Sequence, residues 1–143
     1  MPKYKIKVED IYSQCPAEKK ILKKIAEHVL SEERVMLADI NIVLVDDAFI
    51  INLNKQYLNK TTTTDVISFN FEEPPDLQNL DGEVYANVEQ IRRQAEEYEV
   101  TEAEELHRIV IHGLLHLIGY NDASPVDKNA MTEKENFYLS PIQ

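Results

Sequence analysis

Cysteine is nearly missing from this chain. Cys15 is the one instance in 143 residues, so no internal disulfide can form. That suits a reducing compartment such as the cytosol. Positive charge is scarce as well: 15 Lys and Arg face 26 Asp and Glu, for a formal net charge of −11. A balance of that sign disfavours non-specific attachment to nucleic acid or to an anionic membrane. It leaves room for a local basic groove. Long apolar runs are absent. The longest, around residues 109 to 118, is interrupted by His112 and His116, which excludes a membrane span. The opening residues, MPKYKIKVEDIYSQC, hold no apolar core of signal-peptide length, so a soluble cytoplasmic protein is expected. Repeats and low-complexity linkers are missing too.

What is present is 43% hydrophobic, which suits one folded domain over residues 1–143. Residues 4 to 8 (YKIKV) alternate and predict a strand. From Pro16 to about Leu30 the spacing of Ile21, Leu22, Ile25 and Val29 predicts a helix, with His28 on its surface. Residues 40 to 45 (INIVLV) read as a buried strand. Asp46 and Asp47 offer an N-cap for a helix through residues 49 to 58. DVISFNF (65 to 71) and GEVYANV (82 to 88) predict two more strands, joined by one long loop over 72 to 82. A charged helix follows from about Glu89 to Tyr98. Thr101 and Glu104 then form a T-x-x-E capping box, and Gly119 stops the helix it starts. That helix is apolar on most sides, so it is expected to be buried. Ser124-Pro125 begins a last helix. The sum is an α+β fold: a small mixed sheet of about four strands, layered with helices around a central histidine helix.

The chemistry concentrates in HGLLHLIGYND, residues 112 to 122. Residues four apart share a helix face, so His112 and His116 can converge on one ion. They lie opposite the stripe of Val110, Leu114 and Leu117. After Gly119 the chain can turn back and bring Asp122 as a third donor. Catalytic zinc takes three protein ligands and keeps one position open, and only three donors are found here. The plainer alternatives are a surface or core histidine pair, and turn chemistry for Asn121-Asp122. His107 falls far from the pair on the helical wheel and is not expected to be a ligand. The glutamate of a zinc-peptidase H-E-x-x-H is absent, since Gly113 holds that position.

HGLLHLIGY, with Asp127, Met131 and Glu135 at matching offsets, resembles the bacterial endoribonuclease and rRNA maturation family called YbeY. LNKQYLNKTTTTDVISF (53 to 69) and DGEVYAN (81 to 87) are similar to two further family blocks, in the family's order. The resemblance implies a zinc-like metal on His112, His116 and Asp122. It implies metal-dependent cleavage of single-stranded RNA in rRNA processing and ribosome quality control, with the ribosome or a ribosomal protein as partner. Three departures stand out. Asp122 replaces the family's third histidine, which adds a negative charge and makes the metal a weaker Lewis acid. Leu58 replaces an arginine, with Lys55 and Lys60 on either side. Thr61 and Thr63 replace an aspartate and a proline. No general base is evident; Thr64, Asp65 and Ser68 are candidates, each with a structural reading as a strand start or cap. Arg92, Arg93, Arg108, Lys23 and Lys24 are candidate cations for an RNA groove, or else solvated helix faces. The rival functions are a metallopeptidase-like hydrolase and a non-catalytic ribosome-assembly factor with a metal site.

Overall fold

Alternation along the central strands decides the layers. In β2 (Leu37–Val45), Ile40, Ile42 and Leu44 point to one side and join the main core. Val43 and Val45 point to the other and join a smaller cluster with Ile50 and Ile67. A strand covered on both faces reads as a continuous apolar run, as INIVLV does. The computed structural model describes residues 2–72 and 74–142. Among these, four strands form one sheet in the order β1-β2-β4-β3. The others are β1 (Lys3–Asp10), β3 (Val66–Asn70) and β4 (Leu80–Asn87). β1, β2 and β4 run parallel, and β3 pairs antiparallel with β4. The sheet is mixed, as expected.

β2 and β3 are neighbours in sequence but not in space. β4 lies between them, with Ile42 beside Val84 and Ser68 beside Val84 on its other flank. β4 alternates as GEVYANV suggested, with Gly82, Val84 and Ala86 buried and Glu83 and Tyr85 partly exposed. It starts at Leu80 rather than Gly82, so the preceding loop is shorter than expected.

Among the described residues five α-helices complete the layers: α1 (Lys19–Glu32), α2 (Asp47–Leu53), α3 (Val88–Tyr98), α4 (Glu102–Ile118) and α5 (Pro125–Leu139). α1 begins at Lys19 rather than Pro16. The segment before it is held in turns by Asp10, whose carboxylate accepts from the Ser13 and Cys15 backbone N–H groups at 2.8 and 3.0 Å. His28 is half-buried, not a surface residue: its ring meets the edge of Tyr138 at 5.6 Å. α2 ends in a π-helical turn, Asn54–Leu58, which no sequence pattern signalled. None of the helices described is long and apolar enough to cross a membrane.

α4 is the spine of the molecule. The Thr101–Glu104 capping box forms on both sides and fixes its start. Gly119, at φ 121°, ends it in a conformation that side chains rarely adopt. Leu106, Val110, Ile111, Leu114 and Leu115 are fully buried. Gly113 sits where α4 crosses the sheet. A Cβ there would lie 2.6 Å from Val84 Cγ1 and 3.1 Å from Val66 Cγ2. The residue that would be glutamate in a peptidase therefore points into packed strands.

Candidate metal centre

The two histidines leave α4 on the side away from that packing. Each is fixed differently. His112 Nδ1 lies 2.7 Å from Glu135 Oε2, on the facing α5. Glu135 is buried at 6% exposure, and its other oxygen accepts from Arg108 Nη1 at 2.9 Å. Arg108 also donates to Asn136 Oδ1 at 2.8 Å. A carboxylate on Nδ1 places the proton there and leaves the Nε2 lone pair free. That Nε2 faces His116 Nε2 at 3.1 Å.

Asp122 closes the group. Its Oδ2 lies 3.5 Å from His112 Nε2, and its Oδ1 lies 3.8 Å from His116 Nε2. One donor atom from each of the three residues falls within 4.8 Å of the others. Zinc–nitrogen bonds of about 2.0–2.1 Å at tetrahedral angles would put two nitrogens roughly 3.3 Å apart. Two imidazole lone pairs facing each other at 3.1 Å repel unless a cation or a proton lies between them. The donor set and its spacing fit a transition metal.

Charge reinforces this. Burial pulls the His112 pKa down, but the Glu135 hydrogen bond and the charges of Glu135, Asp122 and Asp65 outweigh it, and the net direction is up. His116 is pushed down, by burial first and by His112 second, against the pull of Asp122. The pair resists double protonation, and the ring backed by Glu135 holds its proton longer.

The group opens onto a cleft of about 680 Å³ that runs along β3 to the segment 58–64. Thr64, Asp65 and Ser68 all line it, but they differ in use. Ser68 Oγ donates to the Gly113 carbonyl at 2.8 Å, which pins β3 to α4 and favours its structural reading. Thr64 Oγ1 reaches only its neighbour Asp65, at 3.5 Å. Asp65 has no cationic partner among the described residues, and its charge is felt at His112.

Asn87 holds this wall in place. It is fully buried, and its amide donates to Asp47 Oδ1, Thr63 Oγ1 and the Thr64 carbonyl at 2.7, 3.0 and 3.1 Å. Its backbone N–H donates to the Asp65 carbonyl at 2.8 Å, and its Oδ1 caps α3. Nothing local signals this role beyond a polar residue at a strand end. Asp47 is the far side of the clamp. Arg93 donates to it twice, at 2.9 and 2.7 Å. Those bonds, with those from Asn87 and Thr63, prevail over burial and hold the Asp47 carboxyl down to about 2. A depressed carboxylate stabilises the fold above its unfolded pKa of about 3.8, and that stability is lost as pH falls through about 2. With Arg93 half exposed, the contribution is about 1–2 kcal/mol after screening. Asp47→Asn is expected to lower the urea midpoint accordingly at neutral pH. The gap should narrow below about pH 4 and close near pH 2. A gap of constant size across that range would count against the clamp.

The arginines considered for an RNA groove are spent elsewhere. Arg92 pairs with Glu102 at 3.1 Å, Arg93 with Asp47 at 2.7 Å and Arg108 with Glu135 at 2.9 Å. None of them lines the cleft, and neither do Lys23 and Lys24 on α1. His107 is buried at 7% exposure, away from the pair, and its Nε2 lacks a hydrogen-bond partner among the described residues. Glu135 is the residue whose role sequence reasoning missed. Its offset from the histidines was visible, but no spacing rule says that α5 folds back onto α4.

Comparison with known proteins agrees with this geometry. The family model described as Endoribonuclease YbeY matches residues 4–143. A relative from Amoebophilus asiaticus, named Endoribonuclease YbeY, is 36% identical over 141 residues, covering 97% of this chain and 94% of its own. One of the same name from Salinibacter ruber is 35% identical over 127 residues, covering 85% and 81%. The solution structure of TM1509 from Thermotoga maritima is similar at a TM-score of 0.63 and 26% identity, covering 96% of this chain and 87% of that one. With the fold, the histidine helix and the sequence in agreement over nearly its whole length, the chain belongs to the YbeY endoribonuclease family.

Proposed function

We infer that this chain is a zinc-dependent endoribonuclease that cleaves single-stranded RNA in the cytoplasm, acting in rRNA processing and ribosome quality control. The observation that carries the reading is the convergence of His112, His116 and Asp122 at the mouth of a cleft, in a member of a family named for endoribonuclease activity. These three residues would hold the metal. When bound there, a divalent ion supplies Lewis acidity toward a phosphoryl oxygen and lowers the pKa of water.

The rest falls to the chain. Glu135 and Arg108 orient His112. Asn87 fixes the wall that carries Asp65. Asp65, which lines the cleft without a cationic partner among the described residues, is assigned as the proton acceptor: its carboxylate takes a proton from water as the water oxygen bonds to phosphorus. The P–O bond to the leaving oxygen breaks, that oxygen departs with the bonding pair, and a proton from solvent neutralises it. The cleft, about 680 Å³, is walled by β3 on one side.

A peptidase is the weaker reading, because the position of its glutamate base is packed against Val84. The test uses the zinc-loaded full chain on labelled single-stranded and duplex RNA. Cleavage of the single strand is expected, lost in chelator and regained with zinc. Metal bound at one per chain without any RNA cleavage would instead favour a non-catalytic assembly factor on the ribosome.

A further inference from the structure

The cleft is short of positive charge. Asp65 and Asp122 both line it, and a strand of RNA brings one negative charge per phosphate. Among the described residues that line it, Lys60 is the one lysine or arginine. Its ammonium has no acidic partner within ion-pair distance among the described residues. Arg92, Arg93 and Arg108 are already neutralised by Glu102, Asp47 and Glu135.

The backbone that presents Lys60 is built to stay put. Asn54 is buried at 3% exposure within the π-helical turn. Its carbonyl accepts from the Lys60 N–H at 3.0 Å, and its side-chain amide donates to the Thr62 carbonyl at 2.7 Å. Asn59, between the turn and Lys60, takes the left-handed conformation at φ 54°. A π-turn with a left-handed exit is a costly local geometry, and such turns gather at functional sites. Here Lys60 itself and the segment just after it are both tied to one buried residue, the first through the Asn54 backbone and the second through its side chain. Leu58 lines the same cleft from the same loop but brings no charge.

We propose that Lys60, held by Asn54 at the rim of the cleft, is the phosphate-binding residue that seats single-stranded RNA against the His112–His116–Asp122 centre. The inference rests on the ribonuclease reading and names the group that binds its substrate. A lysine acts as a point charge on phosphate rather than as a two-pronged fork, so it positions the strand without reading its sequence.

The test is binding of a fluorescein-labelled 2′-O-methyl oligouridylate to the zinc-loaded full chain across a salt series. Lys60→Ala is expected to weaken binding on the order of tenfold and to flatten the slope of log affinity against log salt by about 0.7, the loss of one phosphate contact on a single strand. Lys60→Arg should keep both. In cleavage assays KM should rise while kcat holds, the mark of lost uniform binding. Leu58→Arg added to Lys60→Ala should restore affinity, since position 58 faces the same cleft. Lys55→Ala, outside the cleft lining, should change nothing. Wild-type chain that binds no oligouridylate overturns the ribonuclease reading and this inference with it. Wild-type binding that Lys60→Ala leaves unchanged in strength and slope overturns the inference alone, as does an equal loss in Lys55→Ala.

Discussion

His112→Ala with His116→Ala is expected to take the metal content of the purified chain from about one per chain to background, and RNA cleavage with it. The two imidazoles are the neutral donors of the group, and their Nε2 atoms are the closest pair in it, at 3.1 Å. Asp122 alone is a single carboxylate with a side-chain exposure of 42%, too weakly held to retain a transition metal against water. The fold should survive. The histidine side chains are 20% and 29% exposed, so alanine opens no sealed core cavity, and the packing face of α4 is untouched. Circular dichroism should therefore match wild type while atomic absorption does not. Asp122→Ala should fall between: two nitrogens remain, and metal is kept but more weakly. Acid should release metal from the wild type, because protons compete for the same nitrogens. Full metal retention in the double variant would sink the site, and unchanged affinity in Asp122→Ala would return that residue to a turn role.

Glu135 should matter almost as much, although it touches no metal. Its carboxylate fixes the tautomer and direction of His112 from 2.7 Å, and partners of this kind are worth about 10–100-fold in metal affinity. Glu135→Gln keeps the shape and loses the charge, so affinity for zinc should drop by about that factor with the fold intact. Glu135→Ala should also destabilise the fold by about 2 kcal/mol. That variant leaves Arg108 without its acidic partner, and Arg108 is 30% exposed, so water recovers part of the larger cost of a fully buried break. Zinc competition titrations and urea midpoints separate the two effects. If zinc affinity is unchanged while stability falls, Glu135 merely anchors α5.

The Glu135 expectation depends on a contact between α4 and α5 that lies beyond the reach of local pattern. The elements themselves were legible. Thr101 with Glu104, Gly119, and Ser124 before Pro125 mark helix ends, because capping satisfies backbone groups only a few residues away. The apolar run of β2 and the alternation of β4 announced a buried strand and a half-exposed one, because side-chain period follows backbone geometry. The π-turn at Asn54–Leu58 was invisible, since it depends on a hydrogen bond from Asn54 to Thr62 that loop closure alone supplies.

The sequence by itself determined the helix that pairs His112 with His116, the glycine that ends it, and the family. Each rests on residues within about one or two turns of one another, or on motifs kept in order. Tertiary structure alone decided three other matters. It placed β4 between β2 and β3, brought Glu135 onto His112, and left Lys60 as the cation facing the cleft while the arginines found acids elsewhere. Burial and charge pairing between distant segments settle such choices, and neither leaves a periodic trace in the chain.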